Sequence, residues 1–189
     1  MTAFSDMISA LCAEVHAANV EAGWWPQDKG QRNRGEVMML IVSELGEASV
    51  GALDDAQDDH LPHLPMFAVE LADTAIRLMD LLGADMDAFD VGSTVDEAVP
   101  MYEVQLAGRS VDEKLMAVVR NISHAMEAHR KGRVFIYVTM LSHALATVIA
   151  IARLHDVNLF DIVAQKREYN AVRADHKLEN RAKPGGKAY

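Results

Sequence analysis

The sequence predicts an all-α fold, a bundle of packed helices, and two observations support this prediction. Apolar residues recur at intervals of three and four along most of the chain, which is the spacing of one helix face. The 189 residues are 50% hydrophobic but only 6% aromatic, and abundant residues such as Ala, Leu and Met lose little conformational freedom in a helix. The length predicts one domain that can bury a core without disulfide bonds.

The helices can be placed from their apolar stripes and from their start and stop signals. Asn33 is a candidate helix N-cap, and Gly83 predicts a helix end. Residues 92–109 are expected to be mixed, with Pro100 and Gly108 as breakers. Residues 134–138 are rich in β-branched side chains but continue into a helical stripe, so no strand is predicted. The predicted elements are helices at about 3–21, 34–54, 64–82, 111–130, 134–154 and 158–173, with a short helix or turn at 86–91.

The charge is unevenly distributed along the chain. The net charge is −10, yet residues 166–189 carry seven cations and three anions, so this tail is +4 and the remainder is −14. An acidic body repels nucleic-acid polymers, which excludes that class of partner. A basic tail beside an acidic body suits a small anionic substrate bound with metal ions, although a solvated basic terminus gives the same composition.

The composition does not indicate an exported or membrane-bound protein. Cys12 is the single cysteine, which excludes an internal disulfide. No segment is predicted to reach the roughly 18 apolar residues that a membrane-spanning helix needs. The N-terminus lacks a basic stretch followed by an apolar run, so no signal peptide is predicted. We therefore expect a cytoplasmic protein with no membrane partner.

Two pairs of acidic residues stand out in the second and third predicted helices. One pair is Glu44 and Glu47, and the other is Glu70 and Asp73. A spacing of three places both acids of a pair on one helix face, with Cβ atoms about 5–6 Å apart. Both pairs lie within apolar runs, and only Asp73 has a cation four residues away, Arg77. A solvated acidic helix face stays open as the alternative for either pair alone.

Consecutive antiparallel helices would bring these four carboxylates together. Four negative charges in a partly buried site repel one another strongly unless cations neutralise them. Oxygen ligands without neighbouring His or Cys favour Mg²⁺ or Mn²⁺ over zinc. The sequence therefore predicts a site for divalent ions that is formed by the two acid pairs.

A faint internal repeat relates these helices to a later pair. Residues 41–48 can be aligned with 118–125, and residues 67–76 with 137–146. The apolar positions agree, whereas the acids do not. The hypothesis is a pseudo-dimer of two helix pairs, of which only the first keeps its carboxylates. Helical stripes also align by chance, so a plain insertion is the alternative.

The acid pattern resembles that of a known family. Glu-x-x-Glu, followed after 22 residues by Glu-x-x-Asp, is the metal-binding pattern of the MazG-like, all-α nucleotide pyrophosphohydrolases, which include MazG, the dimeric dUTPases and the dCTP pyrophosphatases. The later element Lys166-x-x-x-Asn170-x-x-Arg173 matches the family's Lys-x-x-x-Asn-x-x-Arg element, and the tail that follows resembles that of phage-type members. The resemblance covers about residues 14–83 and 156–189.

The resemblance implies an activity and its catalytic residues. The expected reaction is hydrolysis of a nucleoside triphosphate to its monophosphate and pyrophosphate, with (d)GTP or another purine favoured. Two or more Mg²⁺ (or Mn²⁺) ions would bridge phosphate oxygens and neutralise the charge that builds at the attacked phosphorus. The catalytic and metal-binding residues would be Glu44, Glu47, Glu70 and Asp73.

The resemblance also implies which residues bind the rest of the nucleotide. The phosphates would be bound by Lys166, Asn170 and Arg173, which lie on one face of the last helix. Trp24-Trp25, Arg32-Asn33 and His16 fall where family members place base-pocket and entry-loop residues. The base would be bound by His16, Trp25 and Asn33. The alternatives are an exposed helix face for the first set, and a core histidine, a hydrophobic plug and an N-cap for the second.

The implied organisation is one all-α MazG-like domain over residues 1–189. It contains a catalytic helix pair at about 34–83, a second, degenerate pair at about 111–155, and a phosphate-binding helix with a basic tail at about 158–189. Related enzymes form dimers or tetramers, so we expect a homodimer or homotetramer, located in the host cytoplasm if the protein is phage-encoded.

The chain departs from the family pattern at two points. Many members carry a further acid just before the first Glu of the first pair, where this chain has Ser43, and this leaves the general base open. In short members the Lys/Asn element follows the Glu-x-x-Asp helix directly, whereas about 70 residues intervene here. The longer spacing fits either a pseudo-dimer or an insertion.

Other function classes fit the sequence less well. Ferritin-like di-iron proteins need Glu-x-x-His, and no Glu in this chain is followed by His three positions later. A phosphate-binding P-loop is excluded because Gly35 is followed by Glu36 and not by lysine. The dipeptide His155-Asp156 suggests an HD-type phosphohydrolase, although a helix end also explains it. A non-catalytic nucleotide-binding or helical assembly protein stays open.

Overall fold

The computed structural model describes residues 2–26, 32–86, 88–176, 178–181 and 183. These residues form eight α-helices and one short 3-10 helix, and no β-strand occurs among them, which confirms the all-α prediction. The helices are α1 (Ala3–Glu21), α2 (Arg34–Asp54), α3 (Met66–Asp85), α4 (Val91–Leu106), α5 (Val111–Arg130), α6 (Val134–Leu154), α7 (Leu159–Val172) and α8 (Leu178–Arg181), with the 3-10 helix Ala174–His176 between α7 and α8.

Side-chain caps explain why several helix starts could be predicted. Asn33 Oδ1 accepts hydrogen bonds from the backbone N–H groups of Gly35 and Glu36, at 3.0 and 3.3 Å. Ser110 and Glu113 form a capping box at the start of α5. These side chains satisfy backbone donors that have no partner within the helix, so the helix begins at a defined residue.

Two predicted interruptions are wrong, and packing explains both. α3 continues through Gly83, where a Cβ atom would overlap the backbone carbonyl oxygen of Cys12 and lie 2.6 Å from the Cβ of His16. Gly83 therefore permits the close approach of α1 and α3 rather than ending a helix. The segment 92–109 contains most of α4, and Pro100 lies inside this helix with its ring exposed, so the apolar stripe on the opposite face remains buried.

Two central helices organise the bundle. α3 packs against α1, α2, α6 and α7, while α6 packs against α3, α4 and α5. α2 also contacts α5, so the pairs α2–α3 and α5–α6 lie side by side. This arrangement is compatible with two related helix pairs, and the internal repeat itself stays a prediction.

α6 corrects one expectation from the sequence. It is long and apolar enough to span a membrane by length and composition, and it is the one such helix in the part of the chain that the structure describes. Within its apolar window, 67% of the residues are buried against other helices. That burial is typical of the core helix of a soluble protein.

A structured loop, residues 55–65, connects α2 and α3 as an antiparallel hairpin. Near the end of α2, a Cβ atom on Gly51 would lie 2.8 Å from the backbone nitrogen of Phe67, so glycine allows the two helices to meet. In the loop, Asp58 Oδ1 accepts hydrogen bonds from the backbone N–H groups of His60 and Leu61 at 2.9 and 2.7 Å. This connection brings the acid-bearing segments of the two helices side by side.

Candidate functional site

Three of the four predicted acids converge between α2 and α3. Carboxylate oxygens of Glu44, Glu47 and Glu70 all lie within 4.8 Å of one another. Glu44 and Glu70 are only 8% and 5% exposed, whereas Glu47 is exposed. The fold thus brings together side chains that the sequence could place only on two separate helix faces.

The fourth acid, Asp73, pairs with a cation from α7. Its Oδ2 lies 2.8 Å from the Nζ of Lys166, which is 3% exposed. Burial raises the pKa of Asp73 to about 6, against the lowering effect of Lys166. Burial alone would lower the pKa of Lys166, but the charge of Asp73 and the hydrogen bond to it raise the pKa overall. This buried ion pair joins α7 to α3 beside the acid cluster.

Arg77 pairs with Glu44 on the neighbouring helix and not with Asp73, the partner that the spacing suggests. Arg77 Nε donates to Glu44 Oε1 at 2.6 Å, and its Nη2 contacts the same oxygen. A side chain on α3 can reach α2 as easily as the next turn of its own helix, and only the folded chain shows which acid is nearer. Two of the four acids therefore have a side-chain cation as partner.

Glu70 lies in the most strongly perturbed environment of the cluster. Burial, a hydrogen bond shared with Glu44 and the charges of the neighbouring acids together raise the pKa of Glu70 to about 9. Its Oε2 is buried and has no hydrogen-bond partner among the described residues. A buried polar atom without a partner is costly, so this oxygen favours a proton or a cation beside it.

The donor set fits a hard divalent cation. All three clustered groups offer carboxylate oxygens, which Mg²⁺ and Mn²⁺ bind in preference to softer ligands. Within the described residues, no second group of three or more His, Cys, Asp or Glu side chains comes this close together. Burial and the neighbouring acids raise the pKa of Glu70, and a divalent ion at this position would offset both by stabilising the ionised carboxylate.

The cluster opens into a cavity of about 380 Å³. All four predicted acids line it, and so do the three predicted phosphate-binding residues, Lys166, Asn170 and Arg173. A more apolar groove of about 1160 Å³ adjoins the cavity and shares several lining residues with it, including Asn170 and Arg173, but neither Lys166 nor any of the four acids lines this groove. The chemistry is therefore assigned to the smaller cavity, which we call the acid cavity.

The three residues predicted to bind the base do not line the acid cavity. His16 Nδ1 and Trp25 Nε1 each lie 2.9 Å from Asp80 Oδ1, and both side chains are buried. Asn33 is exposed and caps α2. These contacts are the ones expected of a core histidine, a buried hydrophobic plug and an N-cap. A base-binding role for the three residues stays a prediction.

The acid cavity also includes residues that the sequence reasoning missed. Arg77 and Asp80 continue the spacing of Glu70 and Asp73 along one face of α3, so helical periodicity was a usable signal for both. Arg32 was not missed: the resemblance places it among base-pocket and entry-loop residues, and it reaches the cavity from a loop, where no periodic signal exists. Burial lowers the pKa of Arg32, while the nearby charge of Asp80 opposes this shift.

His155, the residue behind the HD-type alternative, lies elsewhere. Its Nε2 is 2.9 Å from the Nζ of Lys114, and its ring packs against Phe67 with centroids 5.2 Å apart. A buried ammonium group repels a metal cation, so the surroundings of His155 give no support to this alternative.

Comparisons with protein families, with curated proteins and with solved structures find no match for this chain. The resemblance to the MazG-like enzymes therefore depends on the motif residues alone. The functional argument accordingly depends on the geometry and charges of the acid cavity.

Proposed function

We propose that the protein is a Mg²⁺-dependent nucleoside triphosphate diphosphatase, which hydrolyses a (d)NTP to the (d)NMP and pyrophosphate. One observation carries this proposal: three carboxylates meet within 4.8 Å in a cavity that is also lined by Lys166, Asn170 and Arg173. Clustered carboxylates bind divalent cations, whereas cationic and amide side chains bind phosphate oxygens. A single cavity thus suits both parts of a metal–triphosphate complex.

The metal would be held by Glu44, Glu47 and Glu70, with Asp73 beside them. Bound divalent ions would polarise phosphate oxygens and neutralise the charge that develops during attack at phosphorus. The raised pKa of Glu70, about 9, supports this assignment, because the ionised cluster needs an additional positive charge. The number of ions, expected to be two or more, stays a prediction.

The phosphates would be bound along α7 and its C-terminus. Lys166 contacts Asp73 and has further N–H donors that it can share with a phosphate oxygen. Asn170 lines the acid cavity, and the Nδ2 of its side-chain amide is the atom that would donate to a phosphate oxygen. Arg173 offers a planar guanidinium, which suits bidentate binding of a phosphate group.

The test is a substrate panel. The full chain is incubated with Mg²⁺ and each ribo- and deoxynucleoside triphosphate, and monophosphate and pyrophosphate are quantified. We expect equal amounts of both products from at least one nucleotide, and no products when EDTA removes the metal. Without turnover on any nucleotide, the proposal fails, and a non-catalytic nucleotide-binding or helical assembly protein becomes the better interpretation.

Variants test the roles of the acids. Glu44→Gln and Asp73→Asn should abolish turnover while the far-ultraviolet circular dichroism still shows a helical fold. The exposed Glu97 provides a control, since Glu97→Gln removes an acid outside the acid cavity. If either acid variant keeps activity within a few-fold of the wild type, the metal assignment is wrong.

The proposal includes a cytoplasmic homodimer or homotetramer. Several helices expose large apolar side chains, among them Met39, Leu53 and Val104, which are 66%, 73% and 80% exposed. Exposed apolar surface of this kind favours association between copies. Size-exclusion chromatography with light scattering gives the mass directly, and a monomer at all concentrations would exclude both oligomers.

A further inference from the structure

One face of α3 lines the acid cavity from end to end. Glu70, Asp73, Arg77 and Asp80 follow one another at spacings of three and four, and all four line the cavity. A helix rises about 1.5 Å per residue, so Asp80 lies about 15 Å along the axis from Glu70. The acid cavity therefore has a metal-binding end at Glu70 and a second end at Asp80.

The second end is more apolar than the first. The ion pair between Arg77 and Glu44 shows that these two residues lie opposite each other on the antiparallel helices α2 and α3. Val37 and Leu40 precede Glu44 on α2, so they lie towards Asp80, and both line the cavity. Apolar walls around a few polar groups are typical of sites that bind a planar ring.

The carboxylate of Asp80 is held in place by two buried side chains, Trp25 and His16. Asp80 is 6% exposed, and the single indole proton of Trp25 lies between its two oxygens, with Nε1 at 2.9 and 3.0 Å. His16 Nδ1 lies 2.9 Å from Oδ1. An ionised carboxylate has about four acceptor positions, and these two neighbours supply only two protons. Asp80 therefore keeps unused acceptor capacity, and it lines the acid cavity.

Arg32 supplies the complementary donors. It lines the same cavity, and the charge of Asp80 acts on it directly. Its Nε is buried and has no hydrogen-bond partner in the described part of the chain. A guanidinium donor thus lies beside a carboxylate acceptor at the apolar end of the cavity.

We propose that Asp80 and Arg32 recognise the base of the nucleotide, and that this base is guanine. The inference rests on the proposed function, because it assigns base binding to the end of the acid cavity opposite the metal-binding end. Guanine presents an acceptor, O6, next to two donors, N1–H and the 2-amino group. Arg32 donates to O6, and the two oxygens of Asp80 accept from N1–H and the amino group.

The other bases match this pair less well. Adenine places an amino group and an unprotonated ring nitrogen where guanine has O6 and N1–H. Uracil keeps a carbonyl and a ring N–H, but its second carbonyl would face the Asp80 carboxylate. Cytosine reverses the guanine pattern. Hypoxanthine keeps O6 and N1–H and lacks only the 2-amino group, so it isolates one of the three contacts.

The experiment measures kcat/KM of the full chain with Mg²⁺ and dGTP, dITP, dATP, dUTP or dCTP. A site built on hydrogen bonds rejects analogues that leave its buried groups unpaired, so we expect dGTP to exceed dITP by about tenfold and dATP by at least about 100-fold. Preference for any other base, or equal use of all five, overturns the inference and leaves the proposed function intact.

Two variants assign the selectivity to the two side chains. Asp80→Asn keeps an acceptor for Trp25, and it should lower the dGTP:dATP ratio of kcat/KM at least about tenfold, mainly through KM. Arg32→Gln should lower kcat/KM for dGTP and dITP alike, with little effect on dATP. The control is Glu97→Gln, which removes an exposed acid outside the acid cavity and should leave the ratio unchanged. A purely structural Asp80 would affect all five nucleotides equally, which contradicts the inference.

A binding measurement separates the two levels of the proposal. If the wild type hydrolyses no triphosphate, calorimetry with dGMP and dAMP tests base recognition without turnover. Tighter binding of dGMP that is lost in Asp80→Asn supports the inference even though the proposed activity has failed. Equal binding of the two monophosphates overturns it.

Discussion

The substitution Glu70→Gln tests the electrostatics of the acid cluster directly. Glutamine has nearly the same shape as glutamate but carries no charge, so it removes the repulsion and keeps the packing. Glu70 is 5% exposed and has acidic neighbours, and its pKa in the folded protein is about 9, compared with an ordinary value of 4.5. Without divalent ions, we expect the variant to be more stable than the wild type at alkaline pH.

The direction and size of the expected stability difference follow from proton binding by Glu70. Between pH 4.5 and 9 the folded protein keeps a proton that the unfolded chain has released, so the free energy of unfolding falls as the pH rises. This contribution is fully present below pH 4.5 and is lost on the way to pH 9. From pH 4.5 to 8 the interval is about 3.5 units at about 1.36 kcal/mol each, which sets an upper limit of about 5 kcal/mol.

The assay is urea unfolding of both proteins at pH 5 and pH 8 in EDTA. We expect Glu70→Gln to be more stable by about 2–5 kcal/mol at pH 8, and by less than about 1 kcal/mol at pH 5. The exposed control Glu97→Gln should change stability by no more than about 0.5 kcal/mol at either pH. Added Mg²⁺ should then stabilise the wild type more than the variant. A variant that is less stable than the wild type at pH 8 would refute this reasoning.

Three further substitutions and treatments test the packing around the site. Gly83→Ala places a methyl group against the Cys12 carbonyl and should cost more than about 2 kcal/mol in thermal unfolding, whereas Gly46→Ala, with open space around it, should not destabilise. Lys166→Met leaves Asp73 buried without its cation and should cost about 3–5 kcal/mol, part of which the added substitution Asp73→Asn restores. Burial raises the pKa of Cys12 to about 12, so alkylation followed by mass spectrometry should be much slower in the native protein than in urea; equal rates would contradict the buried position.

The fold was predictable where local signals agree with packing. Apolar stripes and capping side chains such as Asn33 act within a few residues, so the sequence displays them. Gly83 and Pro100 misled the prediction because both residue types are usually helix breakers. Their actual roles depend on partners far away in the chain: Gly83 meets α1, and Pro100 lies on an exposed face of α4. Such tertiary contacts override local propensity.

The candidate site was predictable for the acids and less so for their partners. A spacing of three displays Glu44 and Glu47 as a pair, because neighbouring turns are close in any helix. The pairing of Arg77 with Glu44 depends on the distance between two helices, which no spacing within one helix reveals. Trp25 has an aromatic side chain of the kind that stacks on a base, yet its indole N–H donates a hydrogen bond to Asp80 inside the core. Residue type alone therefore does not reveal the buried bond to Asp80, and a base-binding role for Trp25 stays a prediction.

The pairing of cations with acids explains how one chain can both fold and keep four carboxylates together. Arg77 and Lys166 neutralise Glu44 and Asp73, and protonation of Glu70 removes a third charge at neutral pH. A divalent ion that binds the cluster competes with these same cations and with that proton. Both cations line the acid cavity, so after such a displacement the negative charge of a triphosphate would attract them. Under the proposed function, metal binding and phosphate binding would therefore be coupled through the ion pairs of Arg77 and Lys166, and Lys166 would serve both the fold and the substrate.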